Sequence, residues 1–321
     1  MSTAARTKFG HDTTTDEVLD GLDLRGRRVL VTGGTSGLGA ETARALACAG
    51  AEVVLTARDL AKGEAVASSI RAALGSKGGA IEVAELELGD LAAIRRAAAT
   101  ILERRDTLDI LINNAGVMAC PESRTVDGFE RQLGTNHLGH FLLTALLVPA
   151  LRRGNAPRIV NVSSRGHHVA PLDLDDPNFE RRAYDPWTAY GQSKTANILH
   201  AVELERRLAG AAIHAYALHP GVIQTELMRH LDAEAQAGLM QRIQSGGLRL
   251  KSTAAGAATQ VYAATAPELA ERGGVYLEDC AIAEVEDERF DAGVRSYALD
   301  PAIAEQLWAL SEQLVGYRLE L

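Results

Sequence analysis

An apolar run, Arg28-Val29-Leu30-Val31, passes into Thr32-Gly33-Gly34-Thr35-Ser36-Gly37-Leu38-Gly39 and then into the helical pattern Glu41-Thr42-Ala43-Arg44-Ala45-Leu46-Ala47. A strand, a glycine-rich turn and a helix start in this order form a device for holding a pyrophosphate. Glycine admits backbone conformations closed to other residues and lets the main chain approach an anion closely. The helix N-terminus adds unpaired N–H groups and the positive end of a dipole.

The same rhythm continues along the chain. Strand candidates fall at 28–32, 52–56, 81–85, 108–113, 158–163, 213–219 and 275–277, with helical patterns at 40–49, 60–74, 90–104, 126–151, 189–208, 254–264 and 301–314. The strands are short and almost continuously apolar, as expected when helices cover both faces of a parallel sheet. Alternation of this kind predicts right-handed crossovers and a doubly wound α/β fold. Residues 1–23 read as a polar extension in which Thr14-Thr15-Asp16-Glu17 starts a short helix. Residues 24–321 read as one domain, since no repeat or low-complexity linker divides them. Two long inserts, 165–187 and 222–252, follow strand ends on the side where open α/β sheets bind ligands.

Several function classes are excluded. The net charge is −9 without a basic run, which argues against a nucleic-acid surface. The longest apolar stretch, 137–151, is too short to span a bilayer and is read as a buried helix. Cys48, Cys120 and Cys280 are scattered and odd in number, so no disulfide scaffold is expected. With no secretory signal pattern, the expected location is cytoplasmic.

Two further signals carry chemistry in combination. Asn113-Asn114-Ala115-Gly116 ends the fourth strand candidate and alone reads as a turn. Tyr190 and Lys194, four apart on a helical run, share one face. The ordered set of the glycine turn, Asn113–Gly116, Asn136, Ser163-Ser164, Tyr190…Lys194 and Pro220-Gly221 resembles the classical short-chain dehydrogenase/reductase family over roughly residues 24 to 315. Asn136-His137-Leu138-Gly139-His140-Phe141, Asn161-Val162-Ser163-Ser164 and Leu307-Trp308-Ala309-Leu310-Ser311-Glu312 are similar to the subgroup of retinol dehydrogenases and the WW-domain oxidoreductase.

The resemblance implies a Rossmann-type fold with substrate-lid inserts and a catalytic set of Asn136, Ser164, Tyr190 and Lys194. Lys194 would stabilise the Tyr190 phenolate and lower its pKa, letting it act as general acid/base. Ser164 would hold the substrate oxygen, Ser163 would be its structural neighbour, and Asn136 would help place a water relaying protons toward Lys194. The connection from Ser164 to Tyr190 is longer than is usual in the family, so its path decides whether the two residues meet. Gly33, Thr35, Ser36, Gly37, Leu38 and Gly39 would hold the cofactor pyrophosphate, with Asn114, Ala115, Gly116, Pro220, Gly221, Val222 and Thr225 along the rest of the cofactor. Tyr190 and Lys194 would also touch it, and Glu87 and Leu88 would sit near the adenine. A helix cap is the other reading of Thr225.

Ala57 stands where an acid would mark NAD, and Arg58 follows it, a guanidinium suited to a 2′-phosphate. NADP(H) is therefore favoured over NAD(H), with a ribose contact by Asp59 the competing reading. No metal is needed. His137 and His140 read as structural, His167 and His168 as solvated loop residues, and Cys120 as a buried filler. Leu227, Met228, Leu231, Leu239, Met240 and Ile243 make an apolar stripe that would close over a hydrophobic alcohol or carbonyl substrate. The helices beginning near Val126 and Tyr190 are compatible with a homo-oligomer. The expected activity is NADP(H)-dependent interconversion of an alcohol and a ketone or aldehyde. Its rivals are a short-chain epimerase or dehydratase and a cofactor-binding regulatory protein with vestigial catalysis.

Overall fold

A computed structural model describes residues 9–320 apart from 77, 231–236, 239–240, 242–243 and 246–248. Seven strands run parallel: β1 (Arg28–Val31), β2 (Glu52–Ala57), β3 (Ala80–Glu85), β4 (Ile110–Asn113), β5 (Arg158–Val162), β6 (His214–His219) and β7 (Val275–Glu278). Their spatial order is 3-2-1-4-5-6-7, and a short β8 (Ala281–Ile282) turns back antiparallel on β7. The β7–β8 turn is Asp279-Cys280, both left-handed at φ 49° and 58°. Nothing in the apolar pattern announces a two-residue strand, so β8 escapes sequence reasoning.

The central strands are mostly apolar because both faces are covered, while edge strand β3 carries exposed Glu82 and Glu85. Val29, Val31, Ile110 and Ile112 pack toward α2 (Gly37–Cys48), α3 (Leu60–Ala73) and α8 (Thr253–Thr265). Leu30 and Leu111 pack toward α4 (Leu91–Arg104), α6 (Gly139–Leu151), α7 (Pro186–Leu208) and α9 (Pro301–Val315). The helix foreseen at the N-terminus is α1 (Thr15–Leu19), where Thr14 and Glu17 complete a capping box and the helix rests on α8. Among the described residues no helix is long and apolar enough to cross a membrane.

The helix expected over 126–151 is corrected. Residues 124–130 form a tight turn in which the Thr125 N–H donates to the Phe129 carbonyl at 2.9 Å and Gly128 takes φ 87°. That conformation cannot continue a helix. The Glu130 carboxylate then accepts the N–H groups of Gln132 and Leu133 and starts α5 (Arg131–Leu133). A π-helical turn, Gly134–Leu138, joins α5 to α6. Conversely, α7 starts three residues before the predicted 189, at Pro186, a residue pre-shaped for a first helical turn.

Candidate active site

The sheet order reverses between β1 and β4, and the turns leaving these two strands meet there. Gly33 and Gly37 take φ 69° and 55°. A Cβ on Gly39 would stand 2.3 Å from the Gly33 carbonyl oxygen and 2.6 Å from Asn114 Nδ2. Asn114 Nδ2 donates to the carbonyls of Thr32 and Gly33 at 2.7 and 3.1 Å. Thr32 Oγ1 accepts the N–H groups of Asn114 and Ala115 at 2.9 and 3.0 Å. The two turns are thus stitched into one cradle of bare backbone, which fits the demands of a dinucleotide pyrophosphate.

A cavity of about 770 Å³ extends from this cradle, and every site residue proposed from the sequence lies on its wall except Asn136. At one end, Arg58 follows Ala57, the last residue of β2. Its side chain is 64% exposed and approaches the Glu87 carboxylate at 3.8 Å. At the other end lie Ser164, Tyr190 and Lys194.

Tyr190 is buried, and the Ser164 hydroxyl lies near enough to its phenol to act against the effect of burial on it. Gly166 makes this approach possible, because a Cβ there would stand 2.6 Å from Tyr190 Cε1. The longer 165–189 connection therefore leaves Ser164 facing Tyr190. Ser163 points away and donates from Oγ to the Lys194 carbonyl at 2.8 Å. Lys194 Nζ donates to the Val162 carbonyl at 3.0 Å and lies 5.6 Å from the Tyr190 ring centroid.

The expected lowering of the Tyr190 pKa is corrected. Burial pushes the phenol up to about 12, against the smaller opposing effect of the Ser164 hydroxyl. Burial also pulls Lys194 down to about 8. Loss of solvent is the leading cause of both shifts, each favouring the neutral form.

Asn136 sits behind the wall in the π turn. Its Nδ2 donates to the Val117 carbonyl and to Ser193 Oγ, each at 2.9 Å, and its Oδ1 accepts the Val117 N–H at 2.8 Å. Gly116 keeps a space open between Asn136 and Lys194, since a Cβ there would come 3.2 Å from Asn136 Oδ1 and 3.6 Å from Nζ.

The histidines divide. His137 is buried against Ser311 Oγ at 2.8 Å, and His140 is buried between Thr32 and Asn136. His167 and His168, read as solvated, are buried instead. His167 Nδ1 donates to the Ser164 carbonyl at 2.7 Å, and its Nε2 accepts the Arg295 N–H at 3.2 Å. His168 Nε2 lies 3.0 Å from the Gly293 carbonyl. The covering segment is more than 120 residues away in sequence, so no local pattern could show it.

Burial lowers His137, His140 and His167 to about 3, 4 and 3. The unfolded chain binds protons on these rings near pH 6.5 while the folded chain does not. Their stability contribution is therefore complete above about pH 6.5 and is lost as pH falls toward 3. Glu130, whose carboxyl burial raises, opposes this alone among the described residues, while burial also lowers His168, His200 and His219. Unfolding free energy is expected to fall from pH 7 to pH 4 by on the order of 1.4 kcal/mol per histidine per pH unit below its unfolded pKa, read as a steadily falling melting temperature. A melting temperature flat across that range would contradict it.

The insert after β6 leaves through Pro220–Gly221–Val222. Gly221 takes φ 93° against the Lys251 side chain, whose buried Nζ lies 2.6 Å from Asp279 Oδ1. Val222 pairs with Leu250 as a bridge, and the Lys251 N–H donates to the Val222 carbonyl at 2.9 Å. Thr225 lies against Gly37, and its Oγ1 accepts the Leu227 N–H at 3.4 Å, as a cap would. Leu227 and Met228 pack on Met118, Ala119 and Tyr190. The rest of the predicted stripe, Leu231, Leu239, Met240 and Ile243, lies outside the described residues. Sequence reasoning missed Met118 and Trp187, whose ring lies 6.3 Å from that of Tyr190. It also missed Lys251, which had no motif to mark it. Cys120 is buried on the cavity wall, and burial raises its thiol.

The family described as short chain dehydrogenase matches residues 27–236. Human retinol dehydrogenase 12 is 42% identical over 299 residues, covering 93% of this chain and 89% of that protein. The crystal structure of an uncharacterized protein from Mycobacterium paratuberculosis superposes with a TM-score of 0.72 at 38% identity, covering 97% of this chain and all of that one. The NADP active-site complex of Pseudomonas aeruginosa RhlG superposes with a TM-score of 0.63 at 29% identity, covering 79% and 95% of the two chains. With the glycine cradle at the sheet's switch point and these likenesses along nearly its whole length, the chain belongs to the classical short-chain dehydrogenase/reductase family, close to its retinol dehydrogenase subgroup, as an oxidoreductase with a nicotinamide-cofactor site.

Proposed function

We propose that this oxidoreductase interconverts a hydrophobic alcohol and its ketone or aldehyde with NADP(H), using Tyr190 as general acid/base. The observation that carries the reading is the buried Tyr190 phenol on the wall of the cavity. It faces Ser164, has Lys194 near its ring, and packs against an apolar wall of Met118, Leu227 and Met228.

The cofactor would be held by Gly33 to Gly39, by Asn114, Ala115 and Gly116, by Leu88 near the adenine, and by Pro220, Gly221, Val222 and Thr225. When bound it supplies or accepts the hydride. Ser164 offers its hydroxyl to the substrate oxygen and so aligns that oxygen with the phenol. Tyr190 gives its proton to the alkoxide that develops there, or takes one back in the reverse direction. Lys194, held near its own titration range by burial, returns the proton, and the space beside Asn136 and Gly116 admits the water that feeds it. Apolar side chains keep other water from the reacting oxygen.

Arg58 supports NADP(H). Its guanidinium is exposed, its carboxylate neighbour Glu87 is 3.8 Å away, and Ala57 offers no acid to a ribose hydroxyl. The NADP complex of the Pseudomonas aeruginosa neighbour is consistent with this choice.

A panel of carbonyl compounds assayed by NADPH consumption tests the reading. Bulky apolar ketones and aldehydes are expected to react faster than short polar ones, and NADPH to outperform NADH. Arg58→Ala is expected to reduce the NADPH preference roughly tenfold through loss of a charge-assisted phosphate contact. A higher kcat/KM with NADH, or turnover of sugars and short polar carbonyls alone, would refute it. Net NADPH consumption also separates this activity from an epimerase or dehydratase, which returns its cofactor unchanged.

A further inference from the structure

We propose that His140 is a positioning residue coupling the cofactor cradle to Asn136. The proposal rests on the functional reading above for what those two places do. The hydrogen-bond inventory of the site leaves the imidazole one arrangement. Its Nδ1 lies 2.9 Å from the Asn136 carbonyl oxygen, which can only accept, so Nδ1 carries the proton. Its Nε2 lies 2.9 Å from Thr32 Oγ1. That oxygen already accepts the N–H groups of Asn114 and Ala115, which fill its lone pairs. The Thr32 hydroxyl proton has two acceptors in reach, Nε2 at 2.9 Å and the Ile112 carbonyl at 3.4 Å. The shorter contact takes it, and the neutral ring accepts.

A continuous chain results. The Asn114 and Ala115 N–H groups donate to Thr32, Thr32 donates to His140, and His140 donates to the Asn136 carbonyl. One end fixes the turn that borders the cofactor. The other fixes the backbone of the residue beside Lys194 and Gly116. His140 is 2% exposed and lines no part of the cavity, so it acts through these neighbours alone. The adjacent His137 does nothing comparable, since its Nε2 is turned to Ser311 on α9.

Two substitutions separate the arms. Asparagine places its amide where Nδ1 was and nothing at Nε2; glutamine reaches the Nε2 position and leaves the Asn136 carbonyl unmet. His140→Asn is expected to raise the NADPH Kd roughly tenfold and to lower kcat by less, whereas His140→Gln is expected to lower kcat roughly tenfold and to raise Kd by less, the cost of one buried hydrogen bond in each case. NADPH binding is read by cofactor fluorescence, independently of turnover, and melting temperatures are taken without cofactor. Thr32→Val provides a second route, with a rise in Kd at least as large as that of His140→Asn.

Equal changes in Kd and kcat in the two His140 variants would show that the ring only fills space. An unchanged Kd in Thr32→Val would break the cofactor arm. If Tyr190→Phe were as active as the parent, the catalytic reading would fail instead, while the Kd contrast between His140→Asn and His140→Gln would still decide the Thr32 arm.

Discussion

Tyr190→Phe is expected to lower kcat/KM for carbonyl reduction by roughly 100- to 10,000-fold, the usual worth of a positioned proton donor. The substitution removes one oxygen from a ring whose packing on Met118 and Ala119 and position near Lys194 stay in place. NADPH affinity is therefore expected to change by no more than about twofold, and the melting temperature little, because the lost Ser164 contact is offset by one fewer buried hydroxyl. Stopped-flow turnover with NADPH, together with a fluorescence titration of cofactor, makes the measurement. Residual activity above about a tenth of the parent would sit outside the range for a general acid and would remove Tyr190 from that role.

The second large effect concerns the backbone. Gly39→Ala would place a Cβ 2.3 Å from the Gly33 carbonyl oxygen and 2.6 Å from Asn114 Nδ2, distances that force something to move. The obstacle is main chain on one side and a side chain engaged with two carbonyls on the other, so neither yields cheaply. Either the start of α2 backs away from the turn or the link to Asn114 breaks, and both outcomes deform the cradle. An NADPH Kd at least about 100-fold weaker is expected, equivalent to roughly 3 kcal/mol. Gly75→Ala, where a Cβ meets nothing within 4 Å, is the matched control and should bind as the parent does. If the two variants bound NADPH equally well, close backbone approach at Gly39 would not matter to the cofactor.

Much of this architecture was legible because its causes are local. Strands buried on both faces must be apolar throughout, and β1, β2, β4, β5 and β6 announce themselves in that way. The turn after β1 was legible because only glycine readily tolerates the left-handed backbone of Gly33 and Gly37. The misreadings share a different cause. The start of the helix at Arg131 depends on Gly128 taking a left-handed conformation, and apolar spacing is blind to that. His167 and His168 look like loop residues until Gly293 and Arg295 arrive from far along the chain. The sign of the Tyr190 shift was misjudged because spacing reveals a neighbouring lysine but not the loss of water around both groups. Sequence shows which groups meet more readily than what surrounds them.

The pairing of Val222 with Leu250, beside the buried contact of Lys251 with Asp279, has a consequence for engineering and descent. Both ends of the intervening segment are pinned to the scaffold at one point. Its interior can therefore lengthen, shorten or be replaced without asking the sheet to refold. Loop-closure theory puts the entropic cost of doubling such a segment at only about 0.6 kcal/mol. A graft cut between Glu226 and Leu250 would exchange Leu227 and Met228 while keeping Thr225 and Glu226, which touch the glycine turn, together with Tyr190 and Lys194. The joint behaves as a socket, through which new substrate ranges can be plugged into an old catalyst.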